Sequence, residues 1–276
     1  MRDVARTLAC TLATARALTA LTRSLPTALR RPWERTNHAG RPVTLLEGPV
    51  AVAAALTGVL AGPAPRGAAA LSVLVPGVLG GLDDLVGDST TKGLRGHLGA
   101  LRSGRVTTGA VKIGGLGGVA VVAALMELTS QETPPTTKGG GSPLRHAAVD
   151  SVVIAGSANL VNLLDLRPGR AVKVTTAAGL VLMLPAGSRT TAGAVVGVAA
   201  LLPEDLAGES MLGDCGANAL GSLLGLALVR GLPPRGRLVA AAVVTGLTLA
   251  SERVSFTRVI ESTPVLREID AWGRDR

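Results

Sequence analysis

The stretch GAAALSVLVPGVLGGLDDLVGD, residues 67–88, decides how the chain is read. Sixteen positions, 67–82, carry no charge, and then three carboxylates, Asp83, Asp84 and Asp88, fall within six residues. A charge-free run of this kind, taken alone, suits a buried helix or a membrane crossing. Other runs like it occupy residues 48–65, 113–126, 151–164, 174–188, 190–203, 215–229 and 238–251. About eight apolar runs in series, with little amphipathic helix between them, predict an all-α, polytopic integral membrane bundle. Most runs fall short of the roughly 20 residues that cross a bilayer and lengthen only if flanking charges snorkel. The whole chain, 1–276, reads as a single transmembrane domain. Its first residues carry Arg2, Arg6 and Arg16 in an apolar stretch, which reads as an interfacial or additional transmembrane helix rather than a signal peptide.

Composition agrees. Hydrophobic residues make up 47% and charged residues 17%, and the mean hydropathy is +0.42. One Phe, two Trp and no Tyr leave Leu, Val, Ala and 36 Gly to fill the interior, as small residues do where helix backbones approach closely in lipid. The net charge of +9 does not point to nucleic acid, because Lys and Arg sit in short gaps between apolar runs rather than on one polar face. Cys10 and Cys215 are far apart and imply no disulfide framework.

Those gaps also give an orientation. Segment 23–47 carries Arg23, Arg30, Arg31, Arg35 and Arg41 and belongs on the cytoplasmic side. Alternation then places 83–112, 165–173, 203–214 and the five-arginine tail, 252–276, inside, and the Pro/Gly/Thr-rich stretch 129–143 outside as a flexible loop. One loop, with Arg230, Arg235 and Arg237, falls on the wrong side. The expected location is therefore the cell membrane, multi-pass, with the polar loops cytoplasmic.

Three polar clusters land at inner helix ends: Asp83-Asp84-Leu85-Val86-Gly87-Asp88; Asn159, Asn162 and Asp165 at steps of three; and Gly213-Asp214-Cys215-Gly216. Clustered carboxylates repel unless a cation offsets them, and Mg²⁺ favours one or two carboxylates with phosphate oxygens. Each cluster has a plainer reading: a solvated helix end, an asparagine bridge between helices, an Asp helix cap. Acids at the membrane edge, all on one side of a bundle, read as functional.

Together, in this order and spacing, the clusters resemble those of the polyprenyl-phosphate N-acetylhexosamine-1-phosphate transferases, a superfamily that includes phospho-N-acetylmuramoyl-pentapeptide transferase. The resemblance runs from about Arg35 to Ser222. It implies transfer of a sugar-1-phosphate from a UDP-sugar to a membrane polyprenyl phosphate, with Mg²⁺ as cofactor and UMP released, for cell-envelope polysaccharide or peptidoglycan synthesis. Asp83, Asp84 and Asp88 match the DDxxxD pattern and would be the catalytic acids, with Asp83 or Asp84 orienting or deprotonating the acceptor phosphate. Asp214, with Asp84, would hold the metal. Asn159, Asn162 and Asp165 would bind nucleotide, and Lys92, Lys112 and Arg170 phosphate. The resemblance leaves room for a homodimer. Two features depart from the pattern: Pro168 stands where the family has a second Asp, and no His follows His146, where the family carries a histidine-rich loop. These departures support an alternative: a catalytically degenerate paralogue that binds lipid phosphate or an envelope-assembly partner. A transporter fits less well, because the charges gather at one face rather than the midplane.

Overall fold

The computed structural model describes residues 1–37, 40–87, 99, 102–104, 107–130 and 142–274. The described chain is almost entirely helical. Its one sheet among these residues is a hairpin in which β1 (Glu34–Thr36) pairs antiparallel with β2 (Pro42–Thr44). In chain order the helices are α1 (Arg2–Arg23), α2 (Thr27–Arg30), α3 (Glu47–Ala61), α4 (Gly67–Val86), α5 (Thr108–Ser130), α6 (Pro143–Leu164), α7 (Arg170–Leu182), α8 (Arg189–Gly197), α9 (Leu202–Leu206), α10 (Gly213–Gly231), α11 (Pro234–Ser251), α12 (Phe256–Ser262) and α13 (Pro264–Ala271).

Every long apolar run of the sequence has become a helix. The centre is α10, which is buried along nearly its whole length and packs on α6, α4, α3, α7 and α8. Its approach to α6 depends on glycine. A Cβ at Gly221 would sit 2.5 Å from the Ser157 carbonyl oxygen, and one at Gly225 would sit 2.7 Å from the Ile154 Cα. Two glycines four apart thus let the backbones touch, the packing mode that the residue composition predicts.

Among the described residues, three to four helices, and not clearly eight, are long and apolar enough to cross a membrane. Three described helices, α4, α5 and α6, are long and apolar enough, and the pair α11–α12, bent by 92°, makes a fourth if it counts as one span. The physical reason is length and partnership. At 1.5 Å per residue, the 15 residues of α3 reach only about 22 Å of a roughly 30 Å core, and α7 and α8, with 13 and 9 residues, reach less. Helix α10 is long enough but is enclosed by other helices and carries Asp214, Asn218, Ser222 and Arg230.

Helix α1 does not meet the crossing criterion and packs against α3 and α8 through buried Thr7, Thr11 and Ala15. Its arginines are anchored: Arg6 donates to the Ala61 carbonyl (2.6 Å), and Arg16 to the Glu204 carboxylate (2.8 Å). The arginines expected on the wrong side are also accounted for in part. Arg230 forms a two-point ion pair with Glu127 of α5, and Arg237 pairs with Asp150 of α6 at 3.0 Å. Neutralised inside the bundle, they carry little weight in a charge count of loops.

Candidate functional site

Alternating helix directions bring the C-terminal ends of α4 and α6 and the N-terminal ends of α5 and α10 to one end of the bundle. There a cavity of about 810 Å³ is lined by Asp83, Asp84, Asn162, Asp165, Gly213 and Asp214, so all three polar clusters share it.

Asp84 is fixed by the backbone of α10. Its carboxylate accepts from the amides of Asp214 (3.0 Å) and Cys215 (2.9 Å), satisfying two of the donors that a helix N-terminus leaves open. The chain can offer those amides because Gly213 adopts φ +60°; a Cβ there would be strained and 2.8 Å from the Asp84 carboxylate. Arg35, on β1, donates to the Asp84 carbonyl and lines the same cavity. Lys112, from the first turns of α5, bridges the acids: its ammonium contacts Asp83 at 2.8 Å and also Asp214. One lysine therefore holds α4 and α10 acids together, a charge-assisted arrangement stronger than a neutral hydrogen bond.

Asp165 ends α6. It is buried, and neither carboxylate oxygen has a hydrogen-bond partner among the described residues. Burial, reinforced by the charge of Asp205, holds its carboxyl well above the usual carboxylate range. Asp205, in α9, is itself fully buried and accepts from the Gly169 amide at 2.8 Å, so it supports the turn that follows Asp165. Its own carboxyl is pushed up to about 7 by burial, against the pull of that amide.

The remaining expected residues divide. Asn162 lines the cavity, whereas Asn159 donates to Thr248 of α11 at 3.2 Å, as an asparagine that bridges helices does. Arg170 is buried and forms a two-point pair with Asp270 (2.7 and 2.9 Å) and a bond to Thr257 (3.0 Å). It is thus committed to the C-terminal segment. Despite its own burial, Asp270 is held below the carboxylate range by the hydrogen bonds and charge of Arg170. Asp88 and Lys92 lie outside the described residues, as does most of the expected external loop, 131–141. Sequence reading missed Arg35, Met211, Ser255 and Thr257, which also line the cavity. Only Arg35 left a signal, as part of a basic inner segment.

Among the described residues no three His, Cys, Asp or Glu side chains are grouped closely enough to hold a metal ion. Asp83 and Asp214 share the Lys112 ammonium and also hydrogen-bond to each other, so the two acids are already partnered within the protein. No known family model matches the chain, and no curated protein is similar to it.

Proposed function

We propose that the protein transfers a sugar-1-phosphate from a UDP-sugar to a membrane polyprenyl phosphate, as the resemblance of its motifs implies, and that it does so as a multi-pass cell-membrane protein of about eight apolar helices with this cavity facing the cytoplasm. One observation carries the proposal: the acids of three distant segments line a single cavity of about 810 Å³ at one end of an apolar bundle.

In the proposed reaction an oxygen of the acceptor phosphate attacks the sugar-bearing phosphorus of the UDP-sugar. The bond to the bridging oxygen breaks, and UMP leaves with that oxygen. Both reactants are anionic, so the site must offset phosphate repulsion. Lys112 is suited to this, since it can turn from Asp83 and Asp214 to phosphate oxygens. Asp83 is the better candidate for the acceptor, because Asp84 is occupied in capping α10. Asn162 and Asp165 face the cavity where the nucleotide would lie. Mg²⁺, when bound, would supply further charge neutralisation, with Asp214 as its leading ligand and Asp84 beside it. Arg170 and Asn159 act at a distance, through the turn and the α6–α11 contact. Substrate choice among UDP-sugars would fall to the cavity lining, including Arg35 and Thr257.

A second reading, a non-catalytic protein that binds lipid phosphate, is favoured by Lys112 standing between Asp83 and Asp214, where it neutralises both without a metal. One assay separates the two. Purified protein is incubated with Mg²⁺, polyprenyl phosphate and a panel of UDP-sugars, and UMP is measured. Transferase activity predicts UMP release that falls by about 10²-fold or more in Asp214→Asn, the loss typical of removing an electrostatic group at a reacting phosphate. Lipid-phosphate binding with no UMP from any donor contradicts it.

A further inference from the structure

The end of the bundle opposite the large cavity carries arginines that the loop charges do not explain. Ion pairs account for Arg230 and Arg237, but not for Arg235 at the start of α11. Arg235, Arg237 and Leu238 of α11 join Arg145, His146 and Asp150 of α6 around a separate cavity of about 180 Å³. Arg145 and Arg235 are exposed and have no side-chain partner among the described residues. Arg237 is committed to Asp150, the only acid on α6, and α11 has none. Positive charge is therefore in excess here. Two buried acceptors also lack partners. Asp150 is 1% exposed; its Oδ2 accepts from Arg237 at 3.0 Å, and its Oδ1 has no hydrogen bond. One turn earlier on the same face, the Nε2 of His146 is buried and unpaired.

We infer that this cavity holds the headgroup of a phospholipid of the outer leaflet, with Arg145 and Arg235 on the phosphate and Asp150 accepting from a hydroxyl or ammonium group of the same headgroup. Two unpaired guanidinium groups match a phosphate in charge and in fork geometry. An unpaired carboxylate oxygen beside them would repel a bare anion, so the ligand must also bring a donor. Glycerol and ethanolamine headgroups carry one, and choline does not. The position favours a lipid over a free ion. At 1.5 Å per residue, Arg145 stands about 30 Å along α6 from Asp165, the thickness of a bilayer's hydrocarbon core. Below the cavity mouth Leu238, Val239 and Val243 of α11 are 42%, 63% and 52% exposed, an apolar path for an acyl chain. The volume suits a headgroup and is smaller than the roughly 300–1,000 Å³ that a drug-sized molecule fills. This site rests on the membrane part of the proposal above, not on its transfer chemistry.

Delipidated protein in a mild detergent is titrated with phosphatidylglycerol, phosphatidylethanolamine or phosphatidylcholine, and separately with inorganic phosphate, and bound molecules are counted by native mass spectrometry. Headgroup binding predicts one adduct with each of the first two lipids, held about ten-fold more tightly than phosphatidylcholine, and a loss of about ten-fold or more in Arg145→Gln/Arg235→Gln. Both arginines are exposed and unpaired, so this variant should melt with the parent; Arg235→Gln alone should show a smaller loss of the same kind. Arg253→Gln/Arg258→Gln removes two exposed arginines near the other end of α11 and should leave the adduct unchanged. Equal binding of all three lipids overturns the role of Asp150, and equal loss in the two double variants overturns the site. Inorganic phosphate held as tightly as the lipids overturns the lipid as its source. Failure of the membrane reading would be separately visible as a folded protein that stays soluble and monodisperse without detergent.

Discussion

Adjacent glycines at the end of α4 should respond in opposite ways to alanine. Gly80 lies against the first turn of α10. A Cβ there would run into the Asp214 carbonyl group and come within 2.6 Å of the Cys215 nitrogen. Ordinary contact begins near 3.4 Å, so the helices must separate by close to 1 Å. The same movement stretches the Asp84 bonds to the amides of Asp214 and Cys215, now 3.0 and 2.9 Å, to roughly 4 Å, beyond hydrogen-bonding range. Overpacking of this kind costs about 1–3 kcal/mol, and the lost charge-assisted bonds add about 1–3 kcal/mol. At Gly81 a Cβ would meet the Cys215 Sγ at 3.5 Å, its Cβ at 3.8 Å and the Trp33 ring at 3.8 Å, all ordinary contacts. Alanine there should gain about 0.5–1 kcal/mol from helix propensity. Thermal unfolding in a mild detergent reads the difference: Gly80→Ala should melt well below the parent protein, and Gly81→Ala level with it or above. UMP release, if the proposed activity holds, should follow the same order. A Gly80→Ala variant as stable as the parent, or a Gly81→Ala variant that falls equally far, refutes the close approach of α4 to α10.

Two further outcomes follow from buried charge. The Asp205 carboxyl, raised to about 7 in the folded protein from an ordinary value near 4, favours folding fully below about pH 4, and that contribution is lost as the pH rises through about 7; Asp205→Asn should therefore be more stable than the parent at pH 8, by on the order of a few kcal/mol, and not at pH 4, as read by melting at the two pH values. Arg230→Gln strands the buried Glu127 carboxylate and should cost about 3–5 kcal/mol, whereas Glu127→Gln/Arg230→Gln should recover most of it; equal losses in the single and double variants would remove the ion pair from the account.

How much of this was legible in the sequence depends on the distance over which each feature is decided. The apolar runs specified the helices closely, because hydrophobic patterning is local: run 67–82 became α4, and run 215–229 became most of α10. The gathering of the three clusters at one end was also accessible, since the alternating directions of successive helices bring it about. Crossing number was not, because apolarity alone does not distinguish a helix that faces lipid from one, like α10, enclosed by its neighbours. Partner choice was equally hidden. Lys112 finds Asp214 across 102 residues and Arg170 finds Asp270 across 100, and neither pairing has a local signature. The stripe of Asn159 and Asn162 shows the limit of periodicity: steps of three on a 3.6-residue turn drift by about 60°, enough for Asn159 to face α11 while Asn162 faces the cavity.

In the proposed function the acids of three segments share one cavity, and that cavity faces the cytoplasm. Leu85, Leu166 and Met211 line that cavity, one beside each cluster. Each is changed singly to cysteine in a Cys10→Ala/Cys215→Ala background and challenged with a membrane-impermeant maleimide. All three should label in inside-out vesicles and none in intact cells; labelling of any one of them from outside intact cells would take its cluster off the cytoplasmic face and contradict the proposal.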